Sequence, residues 1–105
     1  MRTLPVYLIH FDRPDWCASS ATTIAGSTGI DVDLTVVDNG SRAGAHRLEQ
    51  LIPGNRVLTM GENRGYTGAA NAALHDWCVR YPAGDYCVIG SHDLHVEPDT
   101  FARLV

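Results

Sequence analysis

Apolar positions follow two rhythms along this chain. Leu4 to Phe11 (LPVYLIHF) is a nearly continuous apolar run, the pattern of a strand buried on both faces. Val32 to Val37, Arg56 to Met60 and Asp85 to Gly90 (DYCVIG) predict three further short strands. Between them the apolar positions move to helical spacing. Arg13-Pro14-Asp15 breaks the first run, and Asp15 is placed to cap a helix from about Trp16 to Ala25, which Gly26 to Gly29 ends. Gly44 to Ile52 carries Leu48, Leu51 and Ile52 at helical spacing, and Pro53-Gly54 stops it. Thr67 to Tyr81 is the longest helical pattern, with Ala70, Ala73, Leu74, Trp77 and Cys78 predicted on one face and Pro82-Ala83-Gly84 closing it. Pro98 to Val105 predicts a last capped helix with Phe101, Leu104 and Val105 apolar and no terminating glycine or proline. With Met1 at the start, this reads as the N-terminal part of a longer chain.

Strand and helix alternate, which predicts a parallel sheet covered by helices. Right-handed crossovers reduce the topology to a Rossmann-like order near 3-2-1-4, with the switch point between strands one and four. There is no internal repeat and no low-complexity segment.

Composition narrows the class. A chain of 105 residues is one domain, with a single core. Its 45% hydrophobic and 19% charged content is that of an ordinary globular protein. A formal charge of −4, no lysine and scattered arginines argue against nucleic acid as a partner. No apolar stretch approaches the ~18–20 residues that span a bilayer, and no signal-peptide pattern opens the chain, so a cytoplasmic location is expected. Cys17, Cys78 and Cys87 are odd in number and widely spaced, and read as reduced, small core residues.

Candidate chemistry collects at the carboxyl ends of the predicted strands, where open parallel sheets bind ligands. Strand two stops on Asp38-Asn39-Gly40-Ser41, which is equally a good turn sequence. Strand one ends in His10, Phe11, Asp12 and Arg13; strand three leads into Gly61 to Gly68; strand four gives Ser91, His92, Asp93, Leu94 and His95. Convergence of four such ends exceeds what turn chemistry requires and predicts a site. Gly65 and Gly68 would let backbone approach a phosphate at a helix start, although either alone is better read as close helix–strand fit. The dinucleotide fingerprint and the Walker pattern are both absent, which argues against a nicotinamide dehydrogenase and a P-loop NTPase. Asp93, near the switch point, is placed to hold Mg²⁺ or Mn²⁺ against a diphosphate, in preference to capping a turn. His10, His92 and His95 near a carboxylate could bind zinc, but histidines in polar turns are more often simply solvated.

The succession LPVYLIHFDRP, LTVVDNGS, ENRGYTGAANAAL and GSHDLHVEPDTF resembles the GT-A-fold glycosyltransferases of family 2, particularly rhamnosyl- and galactofuranosyltransferase-like members. The resemblance covers essentially the whole chain and is specific in its two middle motifs combined. It implies the nucleotide-sugar-binding portion of an inverting transferase. Phe11 and Asp12 match the strand end beside base and ribose, and Asp38 the acid that bonds the nucleoside, with Asn39 and Ser41 shaping the turn. Asn63, Gly65 and Asn71 match the segment framing the nucleotide pocket, and Asp93 the last acid of a D-x-D-like motif that holds Mg²⁺ or Mn²⁺ on the donor diphosphate. The chain departs from the family at Ser91 and His92, where an acid or asparagine is common two residues before Asp93, and at Asp12, where asparagine is common. The resemblance also implies that the catalytic base and the binding region for a glycan or lipid-linked acceptor lie outside these residues, so no catalytic residue is assigned and the chain alone is expected to be inactive. A longer form would work at the cytoplasmic face of a membrane, and an apolar surface left by the missing half would favour self-association. Two alternatives stay open: a nucleotidyltransferase, weakened because Phe11 to Asp15 replaces the usual glycine- and basic-rich loop, and a non-catalytic Rossmann-like binding module.

Overall fold

A computed structural model describes residues 2–42 and 46–105. In chain order the elements are β1 (Thr3–His10), α1 (Pro14–Ala25), β2 (Asp31–Asp38), α2 (His46–Leu51), β3 (Arg56–Thr59), α3 (Gly65–Arg80), β4 (Val88–Ser91) and α4 (Thr100–Leu104). The four strands form one all-parallel sheet in the order β3-β2-β1-β4, as the alternation predicts. The register aligns the carboxyl ends: His10 lies opposite Asp38, Asp38 opposite Thr59, and Ser91 opposite Ile9. Every loop that follows a strand therefore leaves from one edge.

β1 is buried along nearly its whole length because it is central and covered on both faces. Its side chains alternate between two cores. Val6 and Leu8 join Val36, Cys17, Ile24, Leu48 and Phe101 on the side of α1, α2 and α4; Tyr7 and Ile9 join Val37, Ala69 and Ala73 under α3. No helix among the described residues is long and apolar enough to cross a membrane.

Several boundaries differ from expectation, each for a local reason. α1 starts at Pro14, whose missing N–H costs nothing in a first turn; Asp15 sits inside that turn, and no side chain among the described residues caps the helix. α3 starts earlier, at Gly65, and its buried face is Ala69, Ala73 and half-buried Trp77, while Leu74 and Cys78 are exposed. The cause is Asp76, a polar residue on the sheet-facing side. Arg56 forks onto its carboxylate (2.7 Å to Oδ2), and the Tyr7 hydroxyl donates to Oδ2 at 2.7 Å. These bonds, that of Arg56 first, hold the Asp76 pKa below the usual carboxylate range. β4 starts at Val88 rather than Asp85, since it pairs only with Val6–Ile9 of β1. The part of the predicted second helix at residues 44–45 lies outside the described residues. α4 buries Phe101 but leaves Leu104 71% exposed. Of the cysteines, only Cys17 is a core residue, its thiol pushed up to about 12 chiefly by burial; Cys78 is exposed, Cys87 half-buried, and all three are free.

Candidate functional site at the carboxyl edge of the sheet

His10 ends β1 fully buried, and its ring fixes the geometry of the edge. The Arg13 backbone N–H donates to Nε2 at 3.0 Å, so the ring proton sits on Nδ1 and is donated to Asp38 Oδ1 at 3.0 Å. The pair is thus a hydrogen bond to a carboxylate rather than an ion pair. The Ser41 hydroxyl donates to the same Asp38 oxygen and accepts the Asp12 backbone N–H at 3.0 Å. Asp38, Ser41 and His10 therefore join the loops after β1 and β2. His10 is neither solvated nor open to a metal.

Asn39, also buried, binds the loop after β3 with both ends of its amide. Oδ1 accepts the Arg64 N–H at 3.0 Å, and Nδ2 donates to the Gly65 carbonyl at 3.1 Å and to Asn63 Oδ1 at 3.2 Å. Asn63 Oδ1 in turn accepts the Gly65 N–H at 2.8 Å. The two loops touch at Gly40, where a Cβ would lie 2.3 Å from the Glu62 carbonyl carbon and φ is +73°. Glycine is required there on both counts.

The loop after β4 is tied to α1 and to the end of β1. The Ser20 hydroxyl donates to the His92 carbonyl at 2.7 Å, and the Phe11 N–H donates to His92 Nδ1 at 3.3 Å. The His92 ring stands edge-on to His10 and Trp16, with centroids 5.6 and 6.0 Å away. Burial lowers the His92 pKa against a smaller opposite pull from Asp93, so the ring is neutral near pH 7 and its proton sits on Nε2. His95 Nδ1 donates to the Asp93 carbonyl at 2.9 Å, and its Nε2 accepts from Ser19 at 3.0 Å.

Among the described residues of the edge, Asp12 is the strained one, with φ +51°. Its Oδ1 accepts the Arg42 N–H and its Oδ2 the Arg42 Nε–H, both at 2.7 Å, while its carbonyl accepts Arg13 Nη1 at 2.9 Å. The Arg13 guanidinium lies 5.6 Å from the centre of the Trp16 ring, within cation–π range.

Two open cavities flank Trp16. One, of about 360 Å³, is lined by Phe11, Asp12, Arg13, Trp16, Arg42 and His92. The other, of about 320 Å³, is lined by Trp16, Ser19, Asp93 and His95. Further cavities of about 230 and 250 Å³ lie toward the amino ends of the strands, beside Arg2 and Tyr81 and beside Ile30 and Asn55, and hold none of the candidate residues. Of those candidates, Phe11, Asp12 and Asp93 line the cavities. Asp38, Asn39, Ser41 and Asn63 form the hydrogen-bonded frame behind them. Gly65 opens α3 at φ +71°. Asn71 is exposed on α3 and outside this hydrogen-bonded cluster. Arg13 is gathered at the end of strand one without a role, and the residues that sequence reasoning missed are Trp16 and Arg42. Trp16 had one signal, a bulky aromatic just after a strand end, and it is 54% exposed; Arg42 had none.

A divalent ion has limited support from the chain itself. Asp93 offers an exposed carboxylate, whereas His92 Nδ1 and both His95 nitrogens already have partners. Among the described residues, no group of three or more His, Cys, Asp or Glu could hold a metal ion. One carboxylate suits Mg²⁺ or Mn²⁺ that takes its other ligands from a diphosphate and water. No protein-family model and no curated protein matches this chain.

Proposed function

We propose that this chain is the donor-binding part of a glycosyltransferase of the GT-A type, family 2-like, which moves a sugar from a nucleoside diphosphate to an acceptor hydroxyl. The observation that supports it is the grouping on one sheet edge of two open cavities that share an exposed indole. One is flanked by guanidinium groups and the other by a carboxylate and a hydroxyl–imidazole pair. Aromatic rings suit a nucleobase or the C–H face of a sugar, the cations suit phosphate, and the polar groups suit sugar hydroxyls. The motif succession ending in Asp38, Asn63 and Asp93 points the same way.

In this reading the frame of His10, Asp38, Asn39 and Ser41 keeps the loops after β1, β2 and β3 in place, and Phe11, Arg13 and Trp16 border the nucleotide. Asp93 would hold Mg²⁺ or Mn²⁺, which when bound offsets charge on the departing diphosphate. Inversion at the sugar carbon needs a base to take the acceptor proton as the hydroxyl attacks. In this reading no described residue is assigned as that base or to the site of a glycan or lipid-linked acceptor, and the prediction for these 105 residues is donor binding without sugar transfer. Calorimetric titration with UDP, dTDP and GDP in the presence of Mn²⁺ tests the reading. Saturable heat with at least one supports it, and no heat with any of them, from protein shown to be folded, refutes it.

A further inference from the structure

We propose that Arg13 and Arg42, aligned by Asp12, form an anion site that takes a diphosphate directly, so that nucleotide binding does not depend on a divalent cation. The proposal rests on the nucleotide reading above for the ligand's identity, but the anion site has its own geometry.

Asp12 bonds through its carboxylate, its carbonyl and its N–H at once. Its carboxylate takes both the backbone N–H and the Nε–H of Arg42, its carbonyl takes Arg13 Nη1, and its N–H is given to Ser41. A non-glycine residue at φ +51° costs about 1 kcal/mol or more, and here that strain aims two guanidinium groups at one cavity. The Asp12 side chain is only 11% exposed, while that of Arg42 is 84% exposed. The carboxylate thus holds the inner side of the guanidinium and leaves its outer fork toward the opening, the geometry in which arginine receives phosphate oxygens in pairs. Arg13 is braced similarly between the Asp12 carbonyl and the Trp16 ring. Two cations stand against one carboxylate in this lining, in a chain whose formal charge is −4. His92 beside them is neutral near pH 7 and adds a donor rather than a competing charge. An asparagine at position 12 would have one acceptor oxygen for the two Arg42 donors. The carboxylate is therefore what makes this alignment complete.

The test is calorimetry with UDP, UMP, dTDP, GDP and inorganic pyrophosphate as probes, each with Mn²⁺ and with EDTA, on the native chain, Arg42→Met and Asp12→Asn. Arg42→Met keeps the apolar stem and the backbone bond to Asp12 but removes the Nε–H bond to its carboxylate, so a melting curve recorded for each variant confirms that the protein titrated is folded. The expected result is diphosphate binding that changes less than about twofold between Mn²⁺ and EDTA and weakens about tenfold in Arg42→Met. UMP should be nearly indifferent to that substitution, and Asp12→Asn should fall between. Binding that disappears in EDTA, or that Arg42→Met leaves intact, overturns the proposal while leaving the nucleotide reading in place. Silence from every nucleotide alongside pyrophosphate binding that needs Arg42 keeps the anion site and refutes the nucleotide reading. Silence from all probes refutes both.

Discussion

The amide of Asn39 gives the sharpest test of how this edge is held together. Replacing it with alanine removes three hydrogen bonds, to the Arg64 N–H, the Gly65 carbonyl and Asn63 Oδ1. At about 1 kcal/mol net for each bond the upper figure is about 3 kcal/mol. Asn63, Arg64 and Gly65 are exposed, so water recovers part of that, and about 2 kcal/mol is expected. For a domain of this size that is a fall in Tm of roughly 8 °C. Asn39→Asp separates the two ends of the amide. It keeps an acceptor for the Arg64 N–H but points an oxygen at two other oxygens, those of Gly65 and Asn63. It should therefore be at least as destabilising as Asn39→Ala, despite its identical shape. Thermal melts by circular dichroism give the stabilities, and hydrogen exchange should show the Arg64 amide, whose acceptor is Asn39 Oδ1, losing more protection in Asn39→Ala than in Asn39→Asp. An Asn39→Asp protein as stable as the native chain would refute the donor role and the account of how the loops after β2 and β3 are joined.

Other substitutions test separate parts of the account. Gly40→Ala should cost more than about 2 kcal/mol in denaturant melts, because its Cβ meets Glu62 backbone as well as an unfavourable φ. Gly54→Ala, at φ +84° with open space around it, should cost only about 1 kcal/mol; equal costs would show that the close approach at Gly40 is not real. The lowered His92 pKa means the folded state binds its proton less readily than the unfolded chain. Stability from the neutral ring is then fully present above the ordinary value of ~6.5 and is lost as pH falls toward the depressed one. His92→Phe should flatten that part of the pH–stability curve, and an unchanged slope would contradict the assignment. Cys17, buried with its thiol pushed up to about 12, should resist a thiol reagent at pH 8 until the protein unfolds, whereas exposed Cys78 reacts at once. Rapid labelling of Cys17 in the folded state would contradict the burial of α1's inner face.

The sheet was legible because its signal is local. Leu4 to Phe11 and Leu34 to Val37 are apolar apart from His10 and Thr35, without alternation, as strands covered on both faces must be, and glycine or proline separates nearly every element. The inner face of α3 was harder to read. Asp76 is a charged residue whose place under the helix depends on Arg56 and Tyr7, distant in sequence, so periodicity moved the apolar stripe by one position. At the functional edge, the strand ends were readable but their division of labour was not. Asp38, Asn39 and Ser41 have the chemistry of ligand contacts, yet most of their hydrogen bonds go to one another's loops, a tertiary fact that no spacing reveals. Arg42 and Trp16 had the opposite problem. Nothing in its neighbourhood marks Arg42 and only its place after a strand end marks Trp16, and the two meet at one cavity because Asp12 bends back and α1 begins at Pro14.

The most direct test of the central claim is to locate the ligand. In amide NMR spectra of the isotopically labelled chain titrated with UDP, dTDP and GDP in turn, the account predicts shifts concentrated at Phe11 to Arg13, Trp16, Arg42 and His92 to His95, with smaller ones through Asn39 to Ser41. Shifts confined to the opposite edge, around Arg2, Tyr81 and Tyr86, or no shifts with any of the three nucleotides, would contradict it.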